Sequence, residues 1–204
     1  MVTSATAFHL APRIAVYPLG SSPPPLEPGG LALAQLPCPA GESRVFGDGS
    51  HPTTRLCAGV LDLLCRQRRP QAVLDVGTGT GVLARIARAR GAALVVGTDI
   101  DPEALACARA HSELDRHRLP IHFGAEAPDH WGPRFDLVVA NILEAPLRAL
   151  AEPMSRALAP AGVLILSGFT RPQTPILRVL FEKSGLRLAG ESHLEEWALL
   201  CLER

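Results

Sequence analysis

The chain has 204 residues, of which 47% are hydrophobic and 20% are charged, and its 20 basic and 20 acidic residues give a formal net charge of zero. This length and apolar content predict one domain with a sizeable core and exclude a chain that is disordered overall. The zero net charge excludes a whole-molecule attraction to nucleic acid or to an anionic membrane.

The cysteines and the apolar runs indicate the compartment. The five cysteines are odd in number and contain no Cys-x-x-Cys pair, so neither a disulfide framework nor a zinc site is indicated and a reducing cytoplasm fits best. The first twenty residues lack the pattern of a signal peptide, and no apolar run approaches the roughly 20 residues that span a bilayer. We therefore expect a cytoplasmic protein without membrane contact. The histidine spacing predicts no metal site.

Proline, glycine and serine dominate the stretch Pro18–Gly30, PLGSSPPPLEPGG. This composition favours an extended, semi-rigid segment without a packed core of its own. Residues 1–45 are therefore predicted to form a short proline-rich N-terminal extension, with one short strand at Arg13–Tyr17. Residues 46–204 are predicted to form the remaining domain.

After this extension, helical and strand patterns alternate along the chain. Apolar residues at helical spacing predict helices at Thr53–Arg66, Val82–Arg90, Pro102–Leu114, Pro146–Ala159 and Gln173–Ser184. Short apolar runs predict strands at Ala72–Val76, Ala93–Thr98, Ile121–Phe123, Phe135–Ala140, Val163–Leu166, Leu186–Leu188 and Trp197–Leu202. The alternation predicts an α/β fold with a doubly wound, mostly parallel sheet. Sheets of this class bind ligands at the carboxyl ends of their strands.

A glycine-rich loop follows the first strong strand, in the sequence DVGTGTG at residues 75–81. Gly77, Gly79 and Gly81 allow the backbone to turn tightly and to approach a ligand, while the first amides of the next helix face it. Val82 stands where a dinucleotide-binding fingerprint has its third glycine. The loop therefore departs from that fingerprint.

Asp99 ends the following strand, where such folds place an acid that binds both hydroxyls of a ribose. The loop and this acid together resemble the class I methyltransferases, whose cofactor is S-adenosylmethionine. Asp75 matches the acid that helps to hold the methionine end of the cofactor in that superfamily. The alternative for each feature alone is an ordinary strand-to-helix turn with a capping aspartate.

Asn141, the only asparagine of the chain, follows the strand FDLVVA. Its amide oxygen and nearby backbone carbonyls can accept hydrogen bonds from an amine and hold the nitrogen lone pair towards a methyl group. The alternative is an asparagine that serves a turn at a strand end. Asn141 is thus a candidate catalytic residue.

Three stretches together resemble one family, the bacterial methyltransferases of ribosomal protein L11. FGDGSHPTT is similar to the family's Phe-Gly-Thr-Gly-Thr-His-Pro-Thr-Thr, DVGTGTG to its glycine motif, and NILEAPL to its Asn-Ile-Leu-Ala-Gly-Pro-Leu. Leu166-Ser167-Gly168 and Glu195-Glu196-Trp197 also resemble family features. The resemblance extends from Phe46 to the C-terminus.

The resemblance implies a Rossmann-like methyltransferase fold and a set of site residues. The cofactor contacts that match the family are Thr54, Gly77, Asp99 and Asn141, and the stretch VFGDGSHPTT would be a flap over the cofactor. Ala125 and Glu126 lie where the superfamily often contacts adenine. His51 is a candidate for assisting deprotonation of the nucleophile, although a binding or structural role for it is preferred.

One residue and one whole region of the chain depart from the family pattern. Asp48 stands where the family has a threonine, and family members carry a separate N-terminal domain that presents the ribosomal protein, whereas here that space holds the proline-rich extension. The resemblance therefore implies the family's activity, and both departures concern how a substrate is recognised.

The leading hypothesis is an S-adenosylmethionine-dependent N-methyltransferase that modifies lysine side chains or an N-terminal amine of a protein, with ribosomal protein L11 as the candidate partner. Alternatives are a small-molecule methyltransferase on the same fold and a non-catalytic cofactor-binding module. A nicotinamide oxidoreductase is disfavoured by Val82 and by the two motif matches. The basic cluster Arg66, Arg68 and Arg69 is interpreted as a helix end and not as an RNA site.

Overall fold

A computed structural model describes residues 7–36, 49–115, 120–132 and 134–204. The predicted boundary at residue 45 and the unusual Asp48 lie outside these residues, as do the first residues of the proposed flap. The boundary and the flap therefore remain predictions.

The described residues form a seven-stranded sheet with helices on its faces and a separate three-stranded sheet. The α-helices are α1 Pro52–Arg68, α2 Val82–Ala89, α3 Pro102–Glu113, α4 Glu144–Ala149, α5 Ala151–Ala157 and α6 Thr174–Lys183. The strands of the large sheet are β4 Ala72–Val76, β5 Leu94–Thr98, β6 His122–Gly124, β7 Phe135–Asn141, β8 Leu158–Thr170, β9 Arg187–Leu194 and β10 Trp197–Glu203. The small sheet contains β1 Phe8–Ala11, β2 Ile14–Pro18 and β3 Leu31–Gln35.

The large sheet has the strand order β6-β5-β4-β7-β8-β10-β9. Strands β4 to β8 pair in parallel, and β10 runs antiparallel to both β8 and β9. The strand order reverses at β4, whose neighbours are β5 on one side and β7 on the other. The predicted doubly wound, mostly parallel α/β fold is confirmed, and its switch point is where such sheets bind ligands.

The predicted helix Pro146–Ala159 is wrong in its bounds, because the chain forms two helices with Leu150 between them. Pro153 lies in the first turns of α5 and has no N–H to donate to the carbonyl of residue 149, so a continuous helix would lose that hydrogen bond. Ala159 precedes Pro160, which disfavours a helical conformation there, and β8 already begins at Leu158.

The strands on either side of the proline-rich residues contribute to the core of the main body. Leu10, Ile14, Val16 and Leu33 are buried in one cluster with side chains of α1 and α2. Residues 19–30, which connect the parallel strands β2 and β3, lie mainly outside strands. The apolar residues fall in strands of four or five residues, too short to stand out beside the prolines.

A buried arginine connects the small sheet to the rest of the fold. Arg85 of α2 is fully buried, and its Nη2 donates to the carbonyl oxygen of Ala34 in β3 at 2.7 Å. The same guanidinium donates to both carboxylate oxygens of Asp115 at 2.7 and 2.8 Å. Arg90 also donates to the carbonyl oxygen of Gly29 at 2.8 Å. The N-terminal strands therefore pack as part of the main body.

Candidate active site

A cleft of about 630 Å³ opens at the carboxyl ends of β4, β5 and β7. The glycine loop forms one wall, since Gly77 and Gly79 line the cleft and both have positive φ, at +70° and +54°. A Cβ on Gly77 would come within 2.1 Å of Cγ2 of Ile142. Glycine is therefore required at residue 77 both for its conformation and for the close approach of the segment after β7.

Asp99 connects the glycine loop to the start of α3. Its Oδ2 accepts a hydrogen bond from the amide of Gly79, and its Oδ1 accepts one from the amide of Asp101, both at 3.0 Å. Asp101 in turn caps α3, as predicted, by accepting from the amide of Glu103. Each oxygen of Asp99 keeps a further lone pair, so the half-buried carboxylate can also accept from two hydroxyl groups in the cleft.

Asp75 lies behind the glycine loop and is 1% exposed. Its Oδ2 accepts from the hydroxyl of Thr78 at 2.6 Å and from the amide of Ala84 at 3.1 Å. Its buried Oδ1 has no hydrogen-bond partner among the described residues. Burial raises the pKa of this carboxyl to about 7, against the lowering effect of its two hydrogen bonds. The side chain therefore supports the loop from below and does not line the cleft.

Asn141 is the last residue of β7, and it lines the cleft although it is only 8% exposed. Its Nδ2 donates to the hydroxyl oxygen of Thr54 at 3.2 Å. Its buried Oδ1 accepts no hydrogen bond from any described residue. An unpaired buried acceptor is costly, so this oxygen is suited to an N–H donor that enters the cleft.

Thr54 was predicted to contact the cofactor, but the structure places it beneath Asn141. It is 1% exposed and is not among the residues that line the cleft. Its hydroxyl instead fixes which way the Asn141 amide is turned.

His51 precedes α1 and lines the cleft next to Trp197. The two rings meet edge to face, with centroids 4.6 Å apart and planes at 69°. His51 Nδ1 accepts a hydrogen bond from the amide of Thr53 at 3.3 Å and lies 2.8 Å from the Thr53 hydroxyl oxygen. The ring therefore caps the helix.

The structure brings most of the predicted site residues to one cleft. Those that line it are His51, Gly77, Gly79, Asp99, Ala125, Glu126 and Asn141. The others are buried outside its lining: Thr54 below Asn141, Asp75 below the loop, and Gly81 at the start of α2, where a Cβ would lie 3.0 Å from that of Ala108.

Known proteins share the sequence pattern and the fold of this chain. The family model for ribosomal protein L11 methyltransferase (PrmA) matches residues 42–204. The chain belongs to this family. Family members include the ribosomal protein L11 methyltransferases of Rhodopseudomonas palustris (strain BisB5), 42% identical over 165 residues, and of Geobacter sulfurreducens, 42% identical over 179 residues.

These relatives are longer than the chain. The matches cover 78% and 85% of the chain but 56% and 55% of the two relatives. The chain thus spans about half the length of the curated relatives it matches. The resemblance inferred from the three sequence stretches is confirmed at the level of the family.

Solved structures extend the comparison. The crystal structure of a ribosomal protein L11 methylase from Lactobacillus delbrueckii subsp. bulgaricus has a TM-score of 0.84 and 26% identity, and the match covers 99% of both chains. The N-methyltransferase NodS from Bradyrhizobium japonicum, solved with S-adenosyl-L-homocysteine, has a TM-score of 0.58 at 15% identity, over 75% of the chain and 88% of NodS. The second likeness shows the shared fold alone.

Several residues of this family member line the cleft without having been assigned a site role from the sequence. Ile100 is 95% exposed beside Asp99, and Leu143 is 70% exposed two residues after Asn141. Trp197 and Gly168 belong to stretches with family likeness, yet only the structure brings them to the cleft. The available signal for Ile100 and Leu143 was an apolar residue one or two positions after a polar residue at a strand end.

None of the helices in the described part of the chain has the length and the apolar character that a membrane-spanning helix needs.

Proposed function

We propose that the chain is an S-adenosylmethionine-dependent N-methyltransferase that modifies protein amines, with ribosomal protein L11 as its substrate. The observation that carries this proposal is the buried Oδ1 of Asn141, an acceptor without a partner among the described residues, in a cleft bounded by a glycine loop and by Asp99. Family membership supports the same reaction.

The residues of the cleft fit the proposed cofactor. Gly77 and Gly79 leave room for close backbone approach, and Asp99 has lone pairs available for ribose hydroxyls. Ala125 and Glu126 border the cleft beyond β6, where an adenine would lie. When bound, S-adenosylmethionine supplies an electrophilic methyl group on a positively charged sulfur.

The chain's own task is to present the acceptor nitrogen. A neutral amine that donates an N–H to Asn141 Oδ1 directs its lone pair away from that bond, and a fixed orientation of this kind accounts for much of the rate of a displacement reaction. The lone pair would form the new C–N bond as the methyl–sulfur bond breaks, with the electron pair of that bond staying on the sulfur, and the methylated nitrogen would then lose one proton to solvent. The apolar side chains of Leu143, Pro146 and Trp197 border the same cleft and help to exclude water.

The substrate assignment rests on the relatives. The proteins from Rhodopseudomonas palustris and Lactobacillus delbrueckii are both named for ribosomal protein L11, and the second is matched over nearly its whole length. Because ribosomal proteins are made in the cytoplasm, that is where we expect the reaction.

The test is incubation of the purified chain with methyl-labelled S-adenosylmethionine and either unmethylated ribosomal protein L11 or a whole lysate. We expect label in ribosomal protein L11, and we expect Asn141→Ala to lower kcat by about 100-fold, the scale for losing one positioned hydrogen-bonding group. Arg187→Ala, on the exposed edge strand β9, is the control and should retain activity.

Two results would overturn the proposal. Label that appears only in small molecules would exclude a protein substrate. Calorimetric binding of S-adenosylhomocysteine without label in any acceptor would identify a non-catalytic binding module.

A further inference from the structure

The start of α1 depends on the side chain of His51. Its Nδ1 accepts from the amide of Thr53, and its backbone carbonyl accepts from the amides of Thr54 and Arg55 at 3.1 and 3.2 Å. A side-chain acceptor at this position satisfies an amide that the helix itself cannot satisfy. His51 thus holds the first turn of α1 in place.

That first turn carries Thr54, whose hydroxyl oxygen is the acceptor for Asn141 Nδ2. This contact joins residues that lie 87 positions apart in the chain and fixes the orientation of the amide, whose Oδ1 has no partner among the described residues. A shift of the first turn would release Nδ2 and allow the amide to rotate. The orientation of the Asn141 side chain therefore depends on the His51 cap at the start of α1.

The ring of His51 and the backbone just before it both pack against other parts of the fold. The edge of Trp197 packs against it, and Gly49, two residues earlier, lies so close to β1 that a Cβ there would be 2.5 Å from Cδ2 of Leu10. The contact with Trp197 restricts the His51 ring, and the contact at Gly49 restricts the backbone that leads into α1. Both keep His51 in its capping position.

We propose that His51 is a positioning residue: its cap fixes the first turn of α1 and, through Thr54, aims the amide oxygen of Asn141 at the acceptor amine. A neutral ring that accepts an amide N–H at Nδ1 carries its own proton on Nε2. In this arrangement neither nitrogen has a lone pair available to deprotonate a nucleophile. This positioning role is the structural one that the sequence favoured for His51 over assisting deprotonation.

The expected effect on turnover rests on the proposed function, but the effect on Asn141 does not. Asn141 is the only asparagine of the chain, so protein labelled with 15N-asparagine gives a single pair of side-chain N–H signals. His51→Ala and His51→Ser both remove the ring and its contact with Trp197. They differ in one hydroxyl group, which restores a capping acceptor.

We expect His51→Ala to shift this pair of signals and to accelerate their exchange with solvent, whereas His51→Ser keeps them near the wild-type positions. In methyl-transfer assays, His51→Ala should lower kcat about tenfold with a smaller change in KM, and His51→Ser should recover most of that loss. Calorimetry with S-adenosylhomocysteine should give similar affinities for both variants.

Unchanged Asn141 signals in His51→Ala would overturn the proposal. Equal loss of kcat in both variants would also overturn it, since the ring and not the cap would then matter. If the wild-type chain transfers no methyl group, the proposed function fails, while the 15N signals still decide the role of His51.

Discussion

Gly168 lies directly against the backbone of Ile142, so that a Cβ at residue 168 would sit 2.2 Å from the carbonyl oxygen of Ile142. Gly168 also has a φ of +94°. Gly168→Ala should therefore push away the segment that follows Asn141. We expect a loss of about 2–4 kcal/mol in the free energy of unfolding, from crowding added to backbone strain, together with loss of methyl transfer. Urea unfolding measures the first and the labelled-methyl assay the second.

Gly91→Ala is the matched control for this substitution. Gly91 has a φ of +99°, but no heavy atom lies within 4 Å of its ideal Cβ position. Gly91→Ala should therefore lower the free energy of unfolding only by the backbone strain, about 1–2 kcal/mol. Equal costs for the two variants would show that contact with Ile142 is not what requires glycine at residue 168.

Asp75 should make the stability of the protein depend on pH. Because burial raises its pKa from 3.8 to about 7 in the folded state, the folded protein holds a proton that the unfolded chain has already lost. The stabilisation that protonated Asp75 gives the folded state, relative to its ionised form, is complete below about pH 4. It is lost as the pH rises through 7. The carboxylate is therefore a cost to folding in neutral and basic solution.

Asp75→Asn removes this titration, and its amide oxygen can still accept from Thr78 and Ala84. We expect the free energy of unfolding of the variant, relative to wild type, to rise by about 1–3 kcal/mol between pH 5 and pH 8. Urea unfolding at the two pH values tests this. A difference between variant and wild type that does not change with pH would contradict it.

Asp99→Ala should weaken binding of S-adenosylmethionine by about 1–3 kcal/mol, the scale for losing hydrogen bonds to a charged group. Asp136→Ala is the control, because Asp136 also accepts from two backbone amides, of Gln71 and Ala72, but lies near the other end of the sheet. It should lower stability and leave affinity unchanged. Calorimetry that finds equal affinity for wild type and Asp99→Ala would contradict the ribose assignment.

Arg85→Met should destabilise the fold by about 3–5 kcal/mol, because it removes the buried guanidinium that donates to both oxygens of the Asp115 carboxylate, which is 7% exposed. Arg178→Met breaks an exposed pair with Glu182 on α6 and should cost less than about 1 kcal/mol. Denaturant unfolding distinguishes the two. A small loss for Arg85→Met would show that the contacts of Arg85 with Asp115 and with Ala34 of β3 contribute little to stability.

Local patterns were sufficient to predict which edge of the sheet carries the cleft. The glycine loop and Asp99 directly follow strands, and Asn141 ends one. Because parallel strands bring their carboxyl ends to the same edge, the local sequence alone places these residues together. The bounds of β4 were predicted as observed, since a buried strand between polar residues has clear limits.

Contacts between distant segments could not be predicted in this way. The Thr54–Asn141 hydrogen bond and the packing of His51 on Trp197 join separate parts of the chain, and no spacing within one motif specifies them. The parallel pairing of β2 with β3 was missed for the same reason, because the proline-rich residues between them conceal that their flanks pair. The sequence therefore did not predict that Thr54 is the hydrogen-bond partner of Asn141.

The exposed Ile100 and Leu143 have a thermodynamic consequence for whatever fills the cleft. A ligand that covers them removes apolar surface from water, and such burial lowers the heat capacity of the complex. The binding enthalpy should accordingly become more favourable with each degree of warming, while the entropy of binding becomes less so. Titrations at several temperatures would thus report how much of these two side chains a ligand covers.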